Sequence, residues 1–164
     1  MITQKMLKSK VTYDKDSGLF YNKKTGRRVG FIHSSNKINN TKYIKIAIII
    51  DGKEHRHYAH RLAWLYTYGK FPEFQIDHID HDGTNNKIHN LRDVAQAQNS
   101  KNVKKSSSNT SGYTGVWRRG RMWVSEIMVD RKKIKLGSYK NIQDAVIARM
   151  KAEKKYVFHE NHGK

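Results

Sequence analysis

Residues 75–102 read QIDHIDHDGTNNKIHNLRDVAQAQNSKN. An acid and an imidazole stand side by side at Asp77-His78, and a short run of turn-forming residues follows, with Asp80, Asp82, Asn85 and Asn86 suited to ordering a loop through side-chain to backbone bonds. Leu91, Val94 and Ala95 then recur at i, i+3 and i+4, which predicts a helix that starts near Ile88 to Asn90 and runs through LRDVAQAQN. Such a helix can return the amide oxygen of Asn99 to the neighbourhood of the acid–imidazole pair. Asn99 lies 9 positions past Asn90, about two and a half helical turns, so the two amides need not share a face.

These side chains suit one chemistry. Phosphodiester hydrolysis needs an activated water, a neutralised phosphate and a stabilised leaving oxygen; a neutral histidine supplies the first, and a bound divalent cation the other two. The stretch from 71 to 102 resembles the HNH, or ββα-metal, endonucleases, and within them the phage and intron homing branch. There an Asp-His pair replaces a bare first histidine, and an asparagine replaces the last one. The resemblance implies an Asp-His pair on the first strand of a hairpin, with His78 as general base and Asp77 and Asn99 as metal ligands. Asn90 matches the middle asparagine, which braces the loop carrying the histidine. Adjacent strand residues point to opposite faces, which fits separate roles for Asp77 and His78. Two oxygen donors leave most of a coordination sphere to water and phosphate, which suits Mg²⁺ or Mn²⁺ better than tightly held zinc. His81 is read either as a group near the phosphate or as an exposed turn histidine, and His89 as surface.

Composition agrees with a nucleic-acid partner. Among 164 residues, 33 are Lys or Arg and 14 are Asp or Glu, giving a net charge of +19 that favours a polyanionic partner, nucleic acid foremost, through counterion release; the family resemblance implies that this partner is double-stranded DNA. The 37% hydrophobic content is enough for packed cores, so charge alone does not define the chain. With no cysteine there is neither a disulfide nor a cysteine-held structural zinc. The longest aliphatic run, IKIAIII at 44–50, is too short to span a bilayer. A soluble, cytoplasmic protein with no membrane partner is expected, and the family resemblance implies a phage protein acting in a bacterial host.

Working outward, residues 11–58 read as strands, with turn signals at Ser17-Gly18, Thr25-Gly26 and Asp51-Gly52; the last sits between strand-like runs ending at Ile50 and starting at Glu54. On that second run His55 and His57 flank Arg56 and read as solvent or DNA contacts. A helix is predicted from Ala59 to Tyr68, with Leu62, Leu65 and Tyr66 on one face and Gly69 as its stop. The segment HRLAWLYTYG resembles the helix that precedes the nuclease motif in the homing branch, and the bland reading of His60 and Arg61 is that they cap or pack it. The stretch KNVKKSSSNTSG has the composition of a linker.

Beyond it, YTGVWRR, RMWVSEIMV and KKIKLGSY read as three strands, followed by a helix from Asn141 to Tyr156 with Ala145, Ala148 and Ala152 along one stripe. Trp123, Ser125, Ile127 and Val129 are expected on one face of the middle strand and Met122, Val124, Glu126 and Met128 on the other. YTGV, WVSEI, KLGSY and the alanine-rich helix together resemble the APETALA-type (ethylene-response factor) DNA-binding domain. In that family the free sheet face enters the major groove, which falls here on Thr114, Trp117, Arg119, Glu126, Met128, Lys133, Lys135 and Ser138. Thr114 and Trp117 stand where arginines are usual, so base preference does not carry over.

The expected protein is therefore α+β: a β-rich N-terminal segment, a ββα-metal nuclease motif, and a C-terminal three-stranded antiparallel sheet packed on one helix. The expected boundaries are an endonuclease domain at 1–102, a linker at 103–111 and a DNA-binding domain at 112–164. The implied activity is metal-dependent, site-directed DNA cleavage of the homing type. One motif per chain implies that a monomer nicks one strand, and that a double-strand break needs a DNA-dependent dimer or a second binding event. The rival reading is a catalytically silent, sequence-specific DNA-binding regulator on the same scaffold.

Overall fold

A computed structural model of the chain describes residues 2–34, 42–95, 102 and 105–163. The fold is α+β, mostly strands in small antiparallel sheets with three α-helices among the described residues. Two compact units make up the chain, Met1–Ala95 and Gln96–Lys164.

The first unit opens with a helix that the sequence does not announce. In α1 (Gln4–Lys10) the Thr3 side chain accepts a hydrogen bond from Met6 N at 3.3 Å, and only Leu7 is buried. Less than two turns with one apolar anchor gives no readable period. Strands β1 (Val11–Tyr13), β2 (Phe20–Asn22) and β3 (Arg28–Val29) then form one sheet, and β4 (Phe31–Ser34), β5 (Lys42–Ile50) and β6 (Lys53–Tyr58) a second. Asp51 and Gly52, at φ 50° and 74°, make the two-residue turn between β5 and β6, which needs positive φ at both positions.

Helix α2 (Ala59–Tyr68) stops at Gly69, whose left-handed backbone (φ 80°) lets its N–H reach Leu65 O at 3.0 Å. The helix buries Leu62, Ala63 and Leu65 in a core shared with Leu7, Phe20 and Ile46. Each large side chain removed from water there contributes about 1.5–3 kcal/mol.

The predicted helix from Ile88 through Asn99 is corrected over Ile88–Val94, and residues 96–99 lie outside the described ones. Ile88–Asn90 is one 3₁₀ turn, and Leu91–Val94 is a strand, β8, paired antiparallel with β7 (Gln75–His78) in the register His78↔Leu91, Asp77↔Arg92. Two apolar residues three apart share a face in a helix but lie on opposite faces of a strand, so the spacing by itself favours the helix. Pairing decides, because β8 supplies the backbone partners that β7 lacks. The helical count between Asn90 and Asn99 therefore does not apply, and Asn99 lies outside the described residues.

In the second unit β9 (Val116–Arg119), β10 (Met122–Val129) and β11 (Lys132–Tyr139) form a sheet of order β11-β10-β9, followed by α3 (Ile142–Lys155), which packs on it. Ala145 and Ala152 are buried and Ala148 half-buried, in line with the small-residue stripe. Ser125 and Ile127 are wholly buried, and Val124 from the opposite set is nearly so at 6% exposed. A bulge accounts for part of the irregularity: Ser125 pairs with Gly137 and Glu126 with Lys135, leaving Leu136 as the extra residue. Composition also missed how far the serine-rich stretch is built into this unit. Asn109 Nδ2 donates to Tyr113 O at 2.9 Å, Ser111 Oγ to Val116 O, and Gly112 N to Asn109 Oδ1 at 2.8 Å.

Candidate active site

His78 ends β7, and the chain turns at once. Ile79 N donates to Asn90 O and His81 N to His78 O, both at 3.0 Å, with His81 at φ 64°. The loop is then tied by its own side chains. Asp80 Oδ1 accepts from Asp82 N at 2.9 Å, Asp82 Oδ1 accepts from Thr84 N and Oγ1 at 2.9 and 2.7 Å, and Asn85 Nδ2 donates to Asp80 Oδ2 at 2.6 Å. Gly83 packs against Lys42 O and the Tyr43 ring with no room for a Cβ.

Asn90, 6% exposed, spans this loop. Its Oδ1 accepts from Asp80 N at 3.1 Å, and its Nδ2 donates to Asp80 Oδ1 and Asn85 O, each at 2.9 Å. Burial pushes the Asp80 carboxyl up, but the bonds from Asp82, Asn85 and Asn90 outweigh it and the group ends below the usual carboxylate range.

The His78 imidazole is 6% exposed and lies among other rings. His60 meets it edge to face at 5.1 Å, Tyr43 lies 6.0 Å away, and Asn86 Oδ1 is 3.4 Å from Nε2. Burial lowers its pKa below the ordinary histidine value, while the Asn86 contact and the charges of Asp80, Asp77 and Asp82 offset part of that shift. Burial thus favours the neutral ring, the form able to take a proton. On the other face of β7, Asp77 meets its cross-strand neighbour Arg92: Nε and Nη2 lie 2.7 and 2.6 Å from Asp77 Oδ2. Asp93 Oδ2 and Oδ1 hold the Glu73 and Phe74 amides at 2.7 and 2.8 Å, fixing the approach to the strand.

Of the candidate residues, the structure brings Asp77, His78 and Asn90 together on one hairpin. His57 is half-buried and stacked on Phe71 at 6.3 Å, whereas His55 and His89 are exposed. Sequence reasoning did not place His60, Tyr43, Tyr58 and Arg92 at the site. The available signal was positional: alternation puts Tyr43 and Tyr58 on one face of β5 and β6, and His60 begins the helix leaving that face. His60 stacks on Tyr58 at 5.3 Å and 11°, and its Nδ1 is buried with no hydrogen-bond partner among the described residues.

Burial, then the charges of His78 and Arg61, pull the His60 pKa down to about 3. Its folded-state value is depressed, so the stability tied to the neutral ring is whole above the unfolded value near 6.5. That stability drains as pH falls toward 3, at about 1.4 kcal/mol per pH unit for one proton. Denaturant titrations between pH 7 and pH 4 should lose roughly 3 kcal/mol through this ring. A His60→Phe variant should lose about one proton's worth less; equal slopes in the two proteins would refute the assignment.

In the second unit, register puts the candidate DNA-reading residues on one sheet face. Trp117 and Ser138 flank Val124, Arg119 pairs with Met122, Glu126 with Lys135, and Met128 with Lys133. Lys133 Nζ lies 3.1 Å from Glu126 Oε1, and Met128 is 55% exposed. Thr114 precedes β9, and its hydroxyl is buried beside a cavity of about 240 Å³ lined also by Arg149, Phe158 and His162. Arg149, 5% exposed, donates to Glu126 O, reaches Glu153 Oε1 at 2.7 Å, and lies 3.1 Å from His162 Nε2.

Residues 57–101 match the family model described as HNH endonuclease, an interval that includes α2, the β7–β8 hairpin and its loop. Over 77 residues the chain is 36% identical to Protein 3.8 of Escherichia phage T7, covering 45% of this chain and 64% of that protein. The chain thus spans just under two thirds of that relative. Among solved structures it is similar to the HNH homing endonuclease I-HmuI, described in its DNA binding and cleavage. That likeness is 27% identical, has a TM-score of 0.45, and covers 56% of this chain and 50% of that one.

Proposed function

We propose that the protein is a metal-dependent, site-directed DNA endonuclease of the homing type that hydrolyses phosphodiester bonds and nicks one strand per monomer. The observation that carries this reading is the buried His78 at the end of β7, back to back with Asp77 across the strand and followed by a loop that Asn90 spans, inside the interval that matches the HNH endonucleases. His78 takes a proton from water as the water oxygen bonds to phosphorus, and the bond from phosphorus to the leaving sugar oxygen breaks. Asn90 keeps the loop closed so that the imidazole stays at the strand end. The donor set fits a divalent cation in kind: Asp77 is a hard carboxylate, and Asn99 offers a hard amide oxygen. These two residues would hold Mg²⁺ or Mn²⁺, which when bound neutralises phosphate charge and stabilises the leaving oxygen. Arg92 already shares Asp77 Oδ2, so loading requires that guanidinium to yield part of its contact.

The second unit acts as the DNA reader on this proposal, in the manner of an APETALA-type domain, through Trp117, Arg119, Glu126, Met128, Lys133, Lys135 and Ser138. The net charge of +19 and a sheet face bearing Arg119, Lys133 and Lys135 support that assignment. The Thr114 hydroxyl is turned away from such a contact by its burial. A double-strand break follows only from a dimer formed on DNA. Among the described residues no helix is long and apolar enough to cross a membrane. The phage relative supports action inside a bacterial host.

The test is nicking of supercoiled plasmid by the full chain with and without Mg²⁺. Asp77→Ala and Asn99→Ala should each raise the metal concentration needed for half-maximal rate, with part of the loss restored by Mn²⁺. Unchanged metal dependence in both variants would reject the proposed ligands. Tight DNA binding with no cleavage in any metal would favour the silent regulator instead.

A further inference from the structure

Asn86 was expected only to order the loop, yet its side chain reaches the imidazole of His78. It is 2% exposed, and Nδ2 donates to Thr84 O at 3.0 Å. That bond fixes which way the amide faces, so the atom turned toward His78 Nε2, 3.4 Å away, is the oxygen. An amide oxygen only accepts. A proton on Nε2 makes the contact attractive, whereas a bare Nε2 would set two lone pairs against each other in a site shielded from water.

Residue 86 is itself clamped from outside the motif. Tyr13 Oη donates to Asn86 O at 2.7 Å in a buried bond, and Ile88 N donates to Lys15 O at 3.1 Å. Gly18, at φ 74°, lies so close that a Cβ there would sit 2.5 Å from Lys87 N and 2.6 Å from Asn86 C. The segment from Tyr13 to Gly18 thus presses on residues 86–88, and the His60 ring closes on His78 from another direction at 5.1 Å.

We propose that Asn86, held by Tyr13 and Thr84, is a positioning residue that keeps the His78 proton on Nε2 and so presents Nδ1 as the basic nitrogen. This rests on His78 being the general base. A loop brace alone would need only the bond to Thr84 O; the direction of the oxygen matters only to the imidazole. Misorientation of a reacting group on this scale costs roughly 10- to 100-fold in rate.

The experiment combines imidazole nitrogen NMR at pH 8 with single-turnover nicking, on full-length wild type, Asn86→Leu, Asn86→Asp and Tyr13→Phe. The wild type should show its proton on Nε2. Asn86→Leu, which fills the space without an acceptor, should lose that preference and fall about 10- to 100-fold in kcat with DNA affinity unchanged. Asn86→Asp restores an acceptor and should recover most of the lost rate. A wild-type proton on Nδ1, or an Asn86→Leu protein with wild-type tautomer and rate, overturns the proposal. If Asn86→Leu does not fold, Tyr13→Phe decides. It keeps the 4.5 Å stacking on Phe20 while releasing the Asn86 backbone, and an unchanged kcat overturns the proposal. Absence of nicking by the wild type would sink the nuclease reading, while the NMR arm still reports the tautomer.

Discussion

His78→Ala should lower the rate of strand cleavage by about 10²- to 10⁴-fold, the usual cost of losing a general base, while DNA affinity stays within a few-fold of wild type. The imidazole is buried behind Tyr43 and His60 and has little surface to offer a ligand, so its removal changes chemistry more than binding. A cavity is also created, and a thermal melt should accompany the kinetics to show that the variant is folded at the assay temperature. Single-turnover nicking at saturating Mg²⁺, with a parallel mobility-shift titration, measures both quantities. A variant that nicks at the wild-type rate would remove His78 from the reaction and leave Asp77 and Asn90 as structural residues.

Truncation after residue 104 should leave a folded, metal-dependent nuclease whose affinity for a long duplex has dropped by orders of magnitude and whose choice of cut site is lost. The cut is placed there because Lys105 to Gly112 are bonded into the second unit, with Lys105 Nζ at 3.2 Å from Gly112 O. Arg119, Lys133 and Lys135 leave with that unit. Each phosphate contact that disappears lowers the slope of log affinity against log salt by about 0.9. Duplex binding by the full-length and truncated proteins across a salt series, with the cut sites mapped, checks the division of labour. Equal slopes and the same cut map would move recognition to the strands of the first unit.

What could be read from the chain followed from how local each signal is. Asp51-Gly52 and Gly69 set backbone angles that few other residues tolerate, so the β5–β6 hairpin and the end of α2 were legible. So were the three C-terminal strands and the alanine stripe of α3, where alternation gives way to a helical period. β8 was not, because Leu91 and Val94 share a face only in a helix and the pairing with β7 overrides that local period. At the site, Asp77, His78 and Asn90 stood out as residue types in a known order. Their surroundings did not: Tyr43, Tyr58 and His60 come from β5, β6 and α2, and alternation along a strand does not say which ring will lie against which. Arg92 was hidden for the same reason that β8 was, since a helix would have turned it away from Asp77. The bulge at Leu136 left no trace that a two-residue repeat could expose.

The β7–β8 pair is only two strands of four residues each, too little sheet to persist in water by itself. Its geometry is borrowed from its surroundings: from the Asp93 carboxylate at its approach, from Gly83 seated on β5, and from the segment that leans on Asn86. The motif is therefore not a portable cassette. Residues 71–102 grafted onto another scaffold would carry Asp77, His78 and Asn90 in their right order without the supports that hold them, and on the proposed function changes at distant positions such as Tyr13 and Gly18 would reach the reaction through His78.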